Sequence, residues 1–266
     1  MRHHNLLTSA ELVFGAISQG RLSNAHAKPA GSLAPLGWTK VDEIVGANEL
    51  ATANADQTVN YGTTLQEGDV AVFFATSDST AFPTGGTYMQ TAGYTTILTE
   101  NANATSMAHE IKVKRMGATP DTSFTVRTAG SLDVCYGMQV FRGQDPNTFL
   151  DGPIATQPGF SGNVSAPALE TFFNGSLEFI VCFINEVDPG SATSWDPNGP
   201  PPSAPTGFSN FMLLDANNAQ ASNAMAVIAS RVVDAGTQDA VDFAGPDPVG
   251  GANMGKYRFA LKNAVG

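Results

Sequence analysis

Two stretches of the chain are apolar at nearly every position. One is Val70-Ala71-Val72-Phe73-Phe74-Ala75-Thr76, introduced by the turn pair Gly68-Asp69. The other is Leu177-Glu178-Phe179-Ile180-Val181-Cys182-Phe183-Ile184, introduced by Gly175-Ser176. Both are rich in β-branched aliphatic residues and phenylalanine and too short for a good helix, so they read as strands buried on both faces. Elsewhere the pattern alternates. In His109–Arg115, Ile111 and Val113 point one way while Glu110, Lys112 and Lys114 point to water. Phe124 and Val126 share an inward face, as do Val241 and Phe243. Strands with one wet face belong to antiparallel sheets stacked on each other. The expected fold is therefore all-β, an antiparallel β-sandwich of jelly-roll or immunoglobulin-like type, with the two fully apolar strands in mid-sheet.

The same order of signals runs twice along the chain, and repeats bear on the fold before any motif does. In residues 68–145 the Gly68-Asp69 strand is followed by a loop from Asp78 to Ala92 and then by Gly93-Tyr94-Thr95. A turn at Glu100–Thr105 leads into the strand His109–Arg115. Gly117–Asp121 turns into Thr122–Arg127, and Val134–Arg142 closes the copy. In residues 175–262 the order is Gly175-Ser176 with its strand, a proline-rich loop through Asp196 to Pro205, and Gly207-Phe208-Ser209. Asp215–Ala221, a strand around Met225–Val233, Val241-Asp242-Phe243 and Gly255–Leu261 follow. Glycines 68/175, 93/207 and 137/255 keep their order while loop length varies, as surface loops allow. The sandwich is expected to be built from two related halves.

Residues 1–45 differ from this. Thr8-Ser9-Ala10-Glu11 resembles a capping box, and Leu12, Val13, Ala16 and Ile17 follow at helical spacing, with Gly20 as a stop. Arg21–Ser32 is polar and aperiodic. The expected organisation is an N-terminal arm with a short helix over 1–45 and a sandwich domain over 46–266. Gly37-Trp38-Thr39-Lys40-Val41 is the place where the ordered body can begin. An arm of this kind either hangs free or lies on a neighbouring subunit; the second reading makes Leu12, Val13 and Ile17 partner-binding residues.

Composition narrows the partners. At 266 residues the chain is long enough to bury a core without staples. The net charge of −11 disfavours phosphate backbones and anionic lipid, so neither nucleic acid nor membrane is an expected partner. No run approaches the length of a membrane span, and no signal sequence is recognised at the N-terminus. Folding in a reducing cytoplasm before assembly is expected. Cys135 and Cys182 each sit in an apolar run; they read as two buried thiols, or as one inter-sheet disulfide if their Cα atoms come within about 7 Å.

Candidate chemistry dissolves into structural roles when each residue is weighed. There is no Gly-x-Ser-x-Gly, and three of the four histidines (3, 4 and 26) lie in the arm. His109 reads as a strand-edge residue rather than a base, and His3-His4 lacks a third metal ligand. Acids that could form a glycosidase pair, among them Asp145, Asp151, Asp188, Asp196, Asp215, Asp234, Asp239, Asp242 and Asp247, fall mostly beside Gly, Pro or Asn, where aspartate serves turns. Asp196-Pro197-Asn198-Gly199 lacks EF-hand spacing. No catalytic residue, cofactor or metal is expected. Trp195, beside a polyproline run, and Trp38 are the tryptophans available to a partner, a neighbouring subunit first and a glycan second.

Three segments together resemble a group of tailed-phage virion proteins. They are Gly68-Asp69 leading into its strand, Gly93-Tyr94-Thr95, and Tyr136-Gly137-Met138-Gln139-Val140-Phe141-Arg142-Gly143-Gln144-Asp145. The second half is similar but carries Tyr257-Arg258-Phe259-Ala260 in place of the Arg-Gly-x-Asp. The resemblance, covering roughly residues 54–262, implies a non-enzymatic decoration, cement, head-fibre, collar or tail subunit. Its expected place is the virion, as a homo-oligomer against major capsid or other virion proteins. A carbohydrate-binding fibre module and a polysaccharide-degrading enzyme are the alternatives. Independently of the family, Gly143 supplies a positive φ at the strand end, and Arg142 is placed to reach a carboxylate at the end of the sheet.

Overall fold

The computed structural model describes residues 37–48, 54–77, 82–102, 107–128, 134–143, 149–160, 165–186, 203–215, 223–243 and 253–263. No helix occurs among the described residues, and the expected helix around Leu12–Ile17 lies outside them. Seven strands come from the first half: β1 (Thr39–Asn48), β2 (Asp56–Asn60), β3 (Val70–Ser77), β4 (Thr95–Ala102), β5 (Met107–Arg115), β6 (Ser123–Arg127) and β7 (Val134–Arg142). The second supplies β8 (Ala155–Phe160), β9 (Ser165–Ala166), β10 (Leu169–Thr171), β11 (Ser176–Glu186), β12 (Ser209–Asp215), β13 (Asn223–Val233), β14 (Gly236–Gln238), β15 (Val241–Asp242) and β16 (Asn253–Leu261). β1 is part of the sheet, so strand structure starts ahead of residue 46.

Two five-stranded sheets result, each drawn from one continuous stretch of chain. Their orders are β1-β7-β3-β5-β4 and β12-β13-β11-β16-β8. Pairs β2–β6, β10–β14 and β9–β15 form small two-stranded sheets, and every pairing is antiparallel. The two fully apolar runs are the central strands β3 and β11, where a strand has neighbours on both edges and a layer on both faces. Gly68 and Gly175 enter them at φ of 87° and 75°, a region that costs a residue with a Cβ.

The sheets stack face to face through one apolar core. Val70, Val72 and Phe74 of β3 meet Leu177, Phe179, Val181 and Phe183 of β11. Phe179 sits at its centre: its ring lies 6.0 Å from Phe74, 5.5 Å from Phe141 edge-on, and 5.0 Å from Phe259 in a stack. Gly137 on β7 lets the opposite sheet approach, since a Cβ there would lie 2.6 Å from Leu214 Cδ2.

The outward faces are not wet, as alternation alone suggested. On the first sheet Ala71, Phe73, Ala75, Met138 and Val140 are covered by Tyr61, Leu65, Tyr88, Met89, Phe124 and Val126. On the second, Ile180, Cys182, Ile184 and Val227 are covered by Ala166 and Phe243 with Val241 and Phe208 at the margin. Glu110, expected in water, is consequently fully buried. The expected turn at Glu100–Thr105 is also corrected: Glu100 is a residue of β4, which continues to Ala102. Both cysteines are buried and neither forms a disulfide, Cys135 lying between the sheets and Cys182 on the outward side of β11. Burial pushes the Cys182 thiol up to about 12, with Lys256 drawing it back.

Candidate functional site

One buried polar cluster joins the two halves. His109 on β5 is completely buried between the sheets, not at a strand edge, with its ring stacked on Phe183 at 4.8 Å. Its Nε2 is hydrogen-bonded to the Tyr257 hydroxyl of β16, and that hydroxyl also bonds Glu100 Oε2 on β4. Glu100 is 37% exposed at the sheet edge and lies 3.7 Å from His109 Nε2. A carboxylate only accepts, so the tyrosine donates to Glu100 and His109 donates from Nε2 to the tyrosine oxygen. That tautomer leaves Nδ1 as an unprotonated acceptor, and Nδ1 is buried without a partner.

The electrostatics follow from this geometry. Desolvation pulls the His109 pKa below its ordinary value, with Glu100 opposing, because protonation would bury a charge and an unpartnered N–H together. The neighbouring His109 ring, 3.7 Å away, and then the hydrogen bond from Tyr257 hold the Glu100 carboxyl below its usual range. The Tyr257 hydroxyl is pushed strongly up by burial and by the adjacent carboxylate. Histidine, tyrosine and glutamate in a row are the components of a proton relay, but the histidine is sealed behind Phe183 and Tyr257. The arrangement bonds one half of the molecule to the other.

Other buried charges are likewise committed. Asp69 Oδ1 and Oδ2 accept from Arg142 Nε and Nη2 at 2.7 and 3.0 Å, a bidentate pair at the end of the first sheet. This is the carboxylate anticipated for Arg142, and Gly143 beside it has φ of 121°. Asp151 accepts from the amides of Phe172 and Phe173 and from Ser176 Oγ. Glu178 is held between Arg231, at 2.6 Å, and Arg258. Among the described residues no three His, Cys, Asp or Glu side chains gather as metal ligands.

Of the residues singled out for partners, Trp38 is half-buried. Its Nε1 donates to Gly175 O at 2.9 Å and its ring meets Phe141 edge-on at 6.4 Å, tying the lead-in of β1 to the second half. Leu12, Val13, Ile17 and Trp195 lie outside the described residues. The sequence reading did not single out Tyr257, Glu100 or the Glu178–Arg258 pair. A signal existed for the last: Glu178 is a lone carboxylate inside an apolar run, and such a residue needs a cation on a neighbouring strand. Compared with protein-family models, with curated proteins and with solved structures, the chain shows no match.

Proposed function

We propose that this chain is a non-enzymatic structural subunit that works through its surfaces, of the kind found in tailed-phage virions as decoration, cement, collar or tail components. The observation that carries the reading is how its buried ionisable groups are used. Asp69, Glu110, Asp151, Glu178 and Arg258 each bond a neighbouring layer, turn or sheet end, and His109 bonds the two halves. Reactive side chains spent on cohesion suit an architectural part. The virion assignment rests on the resemblance of the Gly68-Asp69, Gly93-Tyr94-Thr95 and Arg142-Gly143 segments. Its partners are then capsid or other virion proteins and further copies of itself.

The finer architecture belongs to the same proposal: two related jelly-roll halves stacked through their five-stranded sheets. Support for the jelly-roll reading comes from the order β1-β7-β3-β5, extended by β4, on one side and from β2-β6 with the Met89–Val126 bridge on the other. β8, β11, β12, β13 and β16 occupy the places of β1, β3, β4, β5 and β7. Details support duplication. Gly93 and Gly207 both have φ of 85°, and the aromatic residue after each lies under a cation of the strand next to β3 or β11: Lys114 over Tyr94 and Arg231 over Phe208. Register shifts fall at Thr96/Leu98 and Ser209/Met212, on the two equivalent edge strands.

Mass spectrometry of virus particles purified from the source of this sequence should find the chain in stoichiometric amount, and its absence from them would reject the virion reading. A chain lacking residues 1–36 keeps Trp38 and all of β1. It is expected to fold but to fail to join the particle. Full incorporation of that truncation would remove the arm from the proposal.

A further inference from the structure

The first half contains a cleft that the shared frame does not require. It has a volume of about 370 Å³ and lies between Tyr61-Gly62-Thr63-Thr64-Leu65 on one side and Pro120-Asp121-Thr122 on the other. Both walls are fixed before any ligand arrives. Tyr61 N donates to Thr122 O at 3.1 Å, and the Tyr61 and Tyr94 hydroxyls meet at 2.8 Å. The amides of Gly62 and Thr63 donate to Asp42 Oδ2 at 2.8 and 3.3 Å, and Thr63 Oγ1 donates to Val41 O. Across the gap, Lys114 Nζ holds Asp121 Oδ2 at 2.5 Å and Ala92 O at 3.0 Å. In the second half Lys262 sits over Phe173, 3.9 Å from its ring, just before β11, and Phe172 packs close to Gly152.

The lining has a consistent chemistry. Asp121 is paired with Lys114 and the Asp42 carboxylate behind the Gly62–Thr63 wall accepts backbone amides, so the lining offers no free cation to an anionic ligand. Asp121 lines it with a carboxylate and Thr64 and Thr122 with hydroxyl-bearing side chains, while Tyr61, Leu65 and Pro120 provide an apolar surface. A carboxylate with flanking hydroxyls suits neighbouring O–H donors of a neutral polyol, and the apolar patch suits its C–H face. We propose that this cleft binds one unit of a neutral saccharide. The site is independent of the virion assignment and stands or falls separately from it.

Saturation-transfer NMR on the full chain tests it, with methyl glycosides of neutral hexoses and N-acetylhexosamines at millimolar concentration as probes. Asp121→Asn and Thr122→Val are the variants, with a thermal melt of each to verify folding. The expected result is transfer to at least one neutral glycoside, with affinity weakened about tenfold in Asp121→Asn and about threefold in Thr122→Val, as loss of one charge-assisted and one neutral hydrogen bond predicts. If Asp121→Asn fails to fold, Thr122→Val alone decides. No transfer from any neutral glycoside, transfer unchanged in the folded variants, or binding confined to charged saccharides overturns the proposal.

Discussion

Each sheet must fasten a covering layer over its outward face, and the two halves do so with opposite charge. On the first sheet the fastener is a carboxylate. Glu110 Oε2 accepts from the amides of Tyr88 and Met89 at 2.9 and 3.1 Å, and Oε1 accepts from Thr87 Oγ1 and Lys112. On the second it is a guanidinium. Arg258 Nη1 donates to the carbonyls of Pro167, Gln238 and Asp239 at 2.9, 3.2 and 2.5 Å, while its Nε bonds Glu178. A covering segment presents either amides or carbonyls inward, and these need partners once water is excluded. The sign of the buried side chain follows from which group is presented, so a shared strand order can tolerate inverted electrostatics.

The comparison breaks most severely at Arg258. Replacing it by methionine leaves three carbonyl oxygens unbonded and removes one of the two cations that hold Glu178. Urea denaturation should show a loss of about 3–5 kcal/mol. A loss under about 1 kcal/mol would mean that the guanidinium does not fasten the second cover. Glu110→Ala should cost less, about 2–4 kcal/mol, because it orphans two amides beside a lysine that can reach water. Hydrogen exchange sharpens the point. The amides of Tyr88 and Met89 should lose protection while those of β11 keep theirs; equal loss in both halves would contradict separate fastening of the two covers.

Acid should act on the seam between the halves. The His109 pKa is lowered from 6.5 in the fold, so the unfolded chain binds the proton more readily. Its contribution is present in full above 6.5 and is lost as pH falls below it, with a slope of at most about 1.4 kcal/mol per pH unit. Glu100, lowered from 4.5, adds a second loss of the same sign below that value. In His109→Gln the first loss should vanish, and an unchanged slope between these two values would exclude His109 as its source.

Much of the strand framework was legible because period-2 alternation and uninterrupted apolar runs are local properties. β3, β5, β6, β7, β11, β13 and β16 all fall where the pattern placed them, and the turn glycines mark their ends. Edge strands were harder to see. β1, β4, β8 and β12 carry mixed residues, since one side of each lacks a neighbour and its burial pattern is weak. Inward residues of the covering layers were legible (Phe124, Val126, Val241 and Phe243), but not that they close over the outward faces of the two sheets, and so Glu110, Lys112 and Lys114 read as solvent-facing.

The chain by itself determined where the inner strands run, which two are central, and the pairing of Arg142 with a carboxylate at a sheet end. These follow from side-chain alternation and from backbone conformations that only glycine adopts freely. Tertiary structure alone decided which charges are buried and with whom. His109 meets Tyr257 across 148 positions, and Arg258 meets Glu178 across 80. A charge leaves water only when a distant segment closes over it, and no local pattern records which segment that will be.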